Sequence, residues 1–231
     1  MIMVTSYNKS WMLVCLLFLT SSSFAQEINN DNNWDNQLHL ASKATWGSYR
    51  WKYSGELQLR LEDNMQSFQK VYTEGVARFL YSESIEFIPD FRITLEPDET
   101  VFRPGLGLLY KLYINDFQFV NLLKWQIDIH LNEGHSDNAL RYVLSINKQL
   151  NDKLIGTFLA GALYRWSDDF QGVELIRTGP GLSYIFNRKY SLFINYYLNV
   201  ENNHQDWEWS GIPFIQLIIN LDKDYKFLPE K

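Results

Sequence analysis

The chain has almost no thiol, no long apolar run and no excess of basic charge. Of its 231 residues only Cys15 is a cysteine. It lies in an N-terminal segment with the features of a cleaved signal, so disulfides and thiolate metal sites are excluded from the mature chain. Nothing after residue 25 approaches the ~20 consecutive apolar residues of a helical membrane span. The 21 Lys and Arg are outnumbered by 27 Asp and Glu, for a formal charge of −6. A nucleic-acid partner needs a basic stripe to neutralise phosphates, and no such stripe is present. The glycines form no phosphate-binding loop, so no nucleotide cofactor is expected.

What the first 25 residues hold is an export signal. Lys9 is their only charge, Trp11 to Thr20 are mostly apolar, and Ser23-Phe24-Ala25 offers a small-x-small cleavage site before Gln26. Cys15 follows Val14 rather than a small residue, which argues against a lipid anchor. Cleavage removes Lys9 and takes the net charge from −6 to about −7 by the same count. The expected layout is a cleaved signal at 1–25, a polar segment at 26–33 and one domain at 34–231.

The hydrophobic residues make up 46% of the chain, yet its mean hydropathy is −0.27. Interleaving produces that combination, and the interleaving has a period of two. From Tyr49 to Leu61 the residues Tyr49, Trp51, Tyr53, Gly55, Leu57, Leu59 and Leu61 alternate without exception with Arg50, Lys52, Ser54, Glu56, Gln58 and Arg60. Strand side chains point alternately to opposite faces, so this segment has one oily wall and one charged wall. The pattern returns at Ile85 to Glu96, Phe117 to Leu131, Leu140 to Asn147, Tyr190 to Val200 and Trp207 to Leu221. Weaker runs lie near Val71 to Tyr81, Val101 to Leu112, Leu154 to Trp166 and Val173 to Phe186, and Gln37 to Thr45 completes eleven candidates.

The links between runs are expected to alternate between tight (Trp46 to Ser48, Ser82 to Ser84, Asn115-Asp116, Gln149 to Asp152, Asn187 to Lys189) and roomy (Glu62 to Ser67, Pro97 to Thr100, Asn132 to Asp137, Ser167 to Gly172, Glu201 to Asp206). That asymmetry belongs to up-and-down antiparallel transmembrane β-barrels, with short turns at the periplasmic rim. Eleven conflicts with the even strand number of bacterial single-chain barrels. Either Trp34 to Thr45 is a plug, rim or partial strand before a ten-stranded barrel, or a twelfth strand is hidden. Pro89, Pro104, Pro180 and Pro213 also fall inside predicted strands, which requires bulges or bends, because proline cannot donate to a ladder.

Alternation does not say which wall faces inward, and a soluble ligand-carrying barrel has the same period. Length and aromatic placement favour the membrane. Several runs exceed the ~9–11 residues that cross a bilayer. Tyr49, Trp51, Trp125, Tyr164, Trp166, Tyr190, Trp207 and Trp209 cluster at run ends, as interfacial girdles require.

Trp34 opening a first amphipathic strand, the Arg60-Leu61-Glu62-Asp63 segment, and the run FQKVYTEGVARFLYSESIEFIPDFR from Phe68 to Arg92 resemble the uncharacterised outer-membrane family catalogued as domain of unknown function twenty-four ninety. The resemblance covers nearly the whole mature chain. It implies an outer-membrane barrel without an established activity. The chain departs from the aromatic C-terminal residue of assembled barrels, since Leu228-Pro229-Glu230-Lys231 follow Phe227.

With the oily wall in lipid, the polar wall lines a lumen. Arg50, Lys52, Glu56, Arg60, Glu74, Arg78, Asp90, Arg92, Lys124 and Asp128 are its expected members, with Lys70, Glu86 and Glu96 beside them. Ten to twelve strands leave little room, because eight are just filled by side chains and sixteen or more leave a water channel. The expectation is a structural barrel or a narrow, largely plugged channel for a small polar solute, with outer-membrane lipid as its surroundings and partner proteins unknown. Glu56 and Glu74 face each other if the hairpin closes symmetrically about Asn64-Met65. Two alternatives stay open: a barrel displaying its outer loops to a partner, and a lipid deacylase or phospholipase. For the enzyme, His135 and Ser136 in His135-Ser136-Asp137 are the candidate residues, although neighbours on a strand point oppositely. His130 and His204 are further bases by proximity. Asn132, Glu133, Asp137 and Asn138 are calcium-type ligands without the spacing of a known loop. No catalytic group, metal or cofactor is therefore expected.

Overall fold

The computed structural model describes residues 34–167, 170–202 and 206–222. The chain divides into two units, Met1–Trp34 and Asp35–Lys231, and the barrel belongs to the second. The signal peptide, the polar segment 26–33, His204 and the C-terminal residues after 222 lie outside the described residues.

All regular structure among the described residues is strand. In chain order the first six are β1 (Trp34–Asn36), β2 (Leu38–Gly47), β3 (Trp51–Glu62), β4 (Ser67–Leu80), β5 (Ile85–Leu95) and β6 (Thr100–Ile114). The others are β7 (Phe117–His130), β8 (His135–Asn151), β9 (Leu154–Trp166), β10 (Gln171–Ile185), β11 (Tyr190–Asn202) and β12 (Trp207–Asn220). Successive strands from β2 to β12 pair antiparallel, and β12 also pairs with β2, so eleven strands close into an up-and-down barrel to which β1 adds a short extra strand. They run from 10 to 17 residues, enough to cross a bilayer when tilted.

The parity conflict is resolved by the closing pair. β12 and β2 are parallel, with Phe214 beside His39 and Asn220 beside Thr45. Trp34 to Thr45 is thus neither a plug nor a partial strand before ten others: it contains β1 and most of a full barrel strand. Both terminal barrel strands run toward the same rim, which an odd number of antiparallel strands requires.

The expected contrast between tight and roomy links nearly disappears. At one rim the links are 48–50, 81–84, 115–116, 152–153 and 186–189; at the other each is four residues long, 63–66, 96–99, 131–134, 167–170 and 203–206. Polar residues assigned to loops instead prolong the strands, as where β8 begins at His135. The first secure run is also trimmed: Ser48 N donates to Trp51 O, Tyr49 and Arg50 lie in the turn, and β3 starts at Trp51. Gly47 permits the turn with φ +143°, where a Cβ would lie 2.2 Å from Trp51 O.

Every strand proline sits where pairing with one neighbour lapses. Pairing of β5 with β4 skips from Phe87 to Asp90, that of β6 with β7 from Phe102 to Gly105, and that of β10 with β11 from Thr178 to Gly181. These gaps contain Pro89, Pro104 and Pro180. Pairing of β12 with β2 begins at Phe214, immediately after Pro213. The missing N–H is therefore never asked to complete a ladder.

The walls face as a membrane barrel demands. Leu57 is 55% exposed, whereas its neighbours Glu56 and Gln58 are 9% and 3% exposed. Leu106, Leu108, Phe91, Leu123 and Leu198 continue the exposed apolar face, while Glu86, Arg92, Thr94, Lys124, Gln126, Asp128, Asn195 and Asn199 are buried. An apolar belt of this extent in water would drive association; in hydrocarbon it is the ordinary surface.

Candidate functional site

The inward positions assemble into rows around the barrel because register, not sequence distance, decides which charges meet. Lys43 lies opposite Glu56, Glu56 opposite Glu74, Glu74 opposite Arg92, and Arg92 opposite Arg103. Lower and higher rows set Lys52 opposite Arg78, Lys124 opposite Arg141 and Asp128 opposite Asp137. Several of these are like-charge pairs, which are unfavourable when directly opposed. Neutralisation comes partly from the direct partners of opposite sign and partly across intervening strands. Lys43 reaches Glu56 at 3.4 Å, Arg92 reaches Glu74 at 3.1 Å, and Lys124 lies between Asp90 at 2.6 Å and Glu74 at 3.7 Å. Glu86 binds Lys111 and lies 4.0 Å from Arg78.

Toward the rim with the four-residue links, a second network centres on Asp128. Arg103 holds its carboxylate through two nitrogens, and Arg165 reaches it at 2.9 Å. Arg165 also binds Asp137 at 3.2 Å and Glu174 at 2.7 Å. Glu174 is the residue left over where the register of β10 on β9 shifts between Val173 and Leu175, and that bulge accompanies its contact with Arg165.

Three cations of the lumen stand outside these pairings. Arg60, Arg141 and Arg177 make no salt bridge among the described residues. Arg60 lies 5.2 Å from the Tyr72 ring, which Arg92 also approaches at 4.0 Å. Arg177 donates to Asn199 Oδ1 at 3.0 Å and lies 5.3 Å over Tyr197. All three, with Arg92, border a cavity of about 320 Å³ whose far wall carries the Asp128 network.

From β11 and β12, Tyr197, Ile212 and Phe214 form a buried cluster against Ala41, Leu159 and Phe193. Phe214 packs edge-on to Phe193 at 5.9 Å and tilted to Tyr197 at 5.8 Å. Beside this cluster Asn195 is buried with neither side-chain polar atom bonded to protein.

Most expected lumen residues occupy this interior: Lys52, Glu56, Arg60, Glu74, Arg78, Asp90, Arg92, Lys124 and Asp128 all lie on inward positions. Arg50 departs, being exposed in the turn before β3, where its carbonyl accepts from Leu80 N. Of the aromatic set, Tyr49, Trp51 and Tyr190 lie toward the rim of β2–β3 and β10–β11, and Tyr164, Trp166, Trp207 and Trp209 toward the other. Trp125 is deeper, level with Leu106 and Leu140. His135 and Ser136 are not brought together. They are the first two residues of β8, so they point oppositely; the His135 ring stacks on His130 and its Nδ1 contacts Glu133 at 3.2 Å. Ser136 lies beside Ile129.

Arg103, Arg165 and Arg177 join the lumen from outside the expected set. Each sits at an inward position of a weak run, and Arg165 between Tyr164 and Trp166 carries the usable signal. A histidine cluster is also absent from the sequence expectation: His130, His135 and Asp137 each bring one ligand atom to within 4.8 Å of the others.

No protein-family model and no curated relative matches the chain. Among solved structures it is similar to the NanC porin, with a TM-score of 0.51 at 13% identity over 76% of this chain and 93% of that one. The KdgM porin aligns at a TM-score of 0.44 and 14% identity, over 73% and 89% of the two chains. At these identities the likeness to the first is one of fold.

Proposed function

We propose that this is an outer-membrane barrel, exported by residues 1–25, whose lumen is a narrow path for small polar solutes with a preference for anions. The observation that carries this reading is the position of Arg60, Arg141 and Arg177 around a cavity of about 320 Å³, with no salt bridge to any of them among the described residues. At ~30 Å³ of liquid volume per water, that space holds about ten waters, enough for a small carboxylate or phosphate. Three delocalised guanidiniums offer paired N–H donors that match such groups. Asn195, with both polar atoms free of protein partners, supplies a further donor and acceptor along the lumen.

The resemblance to the domain-of-unknown-function family fits the same reading. Its segments contribute Arg60, Lys70, Glu74, Arg78, Asp90 and Arg92, all lumen residues, so the shared pattern describes a lined interior. A purely structural barrel is the second reading, favoured by the closed ion-pair network around Asp128 and the Tyr197–Ile212–Phe214 cluster, both of which narrow the interior. Loop display is disfavoured because no link between barrel strands exceeds four residues. The lipid-enzyme reading loses its nucleophile–base contact at His135 and Ser136. Planar-bilayer recording of the purified mature chain tests the proposal: small, discrete, anion-selective steps support it, and an insulating barrel supports the structural reading instead.

A further inference from the structure

We propose that His130, His135 and Asp137 form a binding site for a divalent transition-metal ion of the zinc class at the rim carrying the four-residue links. The β7–β8 hairpin builds it. His130 and His135 are direct cross-strand partners at the last pair before the turn, and Asp137 follows His135 by two residues, on the same face. Gly134, with φ +76°, lets the chain reverse between the two histidines, and its N–H donates to His130 O at 2.9 Å.

The surrounding carboxylates orient the rings as outer partners of metal ligands do. Glu99 Oε1 lies 2.6 Å from His130 Nδ1, and Glu133 Oε2 lies 3.2 Å from His135 Nδ1. Carboxylates accept only, so in the neutral imidazole each contact places the ring proton on Nδ1 and leaves the Nε2 lone pair for an ion. In His130 that lone pair meets another acceptor: Nε2 is 3.5 Å from Asp137 Oδ2 and has no hydrogen-bond partner. Two acceptors face each other across a gap that a cation fills.

Charge favours the same occupant. Glu99 and Glu133 contact the two rings, Asp137 lies beside them, and Arg165, the cation bonded to Asp137, divides its donors among Asp128, Asp137 and Glu174. A tetrahedral zinc ion at ~2.0–2.1 Å from nitrogen holds its ligand atoms about 3.3 Å apart. The three ligand atoms already lie within 4.8 Å of one another, so the widest pair must draw in by at most about 1.5 Å, through rotation of His135, the exposed member. Two imidazoles and one carboxylate suit zinc, copper or nickel; calcium and magnesium prefer all-oxygen sets. His130 and Asp137 border the lumen cavity, so a bound ion adds two positive charges at its mouth.

The site does not depend on the lumen conducting. Its test is zinc titration of the untagged full-length mature chain, folded in detergent, against a chromophoric chelator at neutral pH. One ion per chain is expected, with affinity reduced at least about tenfold in His135→Ala and in His130→Ala, and no competition from excess magnesium. Heat-modifiable migration checks that each variant is folded; His135→Ala, at the exposed ring, is the variant expected to keep the barrel intact. Absence of binding, or the same affinity in folded His135→Ala as in the wild type, overturns the proposal.

Discussion

Glu56 and Glu74 stand directly opposite each other across β3 and β4, and each is neutralised by a cation from a different direction. Glu56 takes Lys43 from β2, while Glu74 takes Arg92 from β5 and Lys124 from β7. The two carboxylates are therefore parts of separate pairings, not an acid–base couple. Such a lumen is stable only when its cations are kept in position.

Lys124 is the most exposed to this logic, being 7% exposed between Asp90 and Glu74. Lys124→Met leaves two buried carboxylates without their shared cation. A loss of about 3 kcal/mol in denaturant unfolding from lipid is expected. Adding Asp90→Asn restores part of it; equal stability of wild type and Lys124→Met contradicts the network.

The outer wall makes a different demand. Leu106 lies mid-strand in β6 and is 56% exposed. Leu106→Arg, facing the middle of the bilayer, is expected to cost about 2–4 kcal/mol in folding into vesicles. A cost near zero means that this face does not contact hydrocarbon.

Backbone approach limits β10 at Gly179. A Cβ there lies 1.9 Å from Tyr196 O, whereas at Gly156 it meets only Leu150, with Cδ1 nearest at 3.5 Å. Gly179→Ala is expected to lose more than about 3 kcal/mol or fail to fold, and Gly156→Ala to change little. The fraction of heat-modifiable barrel after refolding reads the contrast, and equal yields count against the β10–β11 geometry.

Asp128 holds two arginines at once. Asp128→Asn releases Arg103 from its carboxylate and leaves Arg165 to Asp137 and Glu174. Anion preference in bilayer recordings is expected to rise, with unitary conductance unchanged or larger. A shift toward cations refutes the role given to these side chains.

Much of the fold is legible in the residues because alternation is a local property. The oily and charged walls of Trp51 to Leu61 follow from side-chain direction alone, and once strand length and aromatic placement turn the oily wall to lipid, Glu56, Arg92, Lys124 and Asp128 follow as interior groups. The symmetric hairpin about Asn64-Met65 also follows locally, apart from a register shift between Arg60 and Leu61. Closure is not local. No pattern within β2 or β12 announces that they pair in parallel, so an odd strand number looks like an error in sequence. Nor do residues state how far hydrogen bonding continues beyond the apolar belt, which is why His135 falls among loop residues by pattern and its alignment with His130 stays hidden. The prolines are legible only as a conflict, resolved because each falls at a lapse in pairing.

The most direct test of the central claim is the reversal potential across a planar bilayer under a potassium chloride gradient, for the wild type and for Arg141→Glu. A lumen lined by Arg60, Arg141 and Arg177 predicts a wild-type reversal potential with the sign of the chloride gradient, moving toward the potassium side in Arg141→Glu. A potassium-side potential in the wild type, or the same value in both proteins, contradicts it.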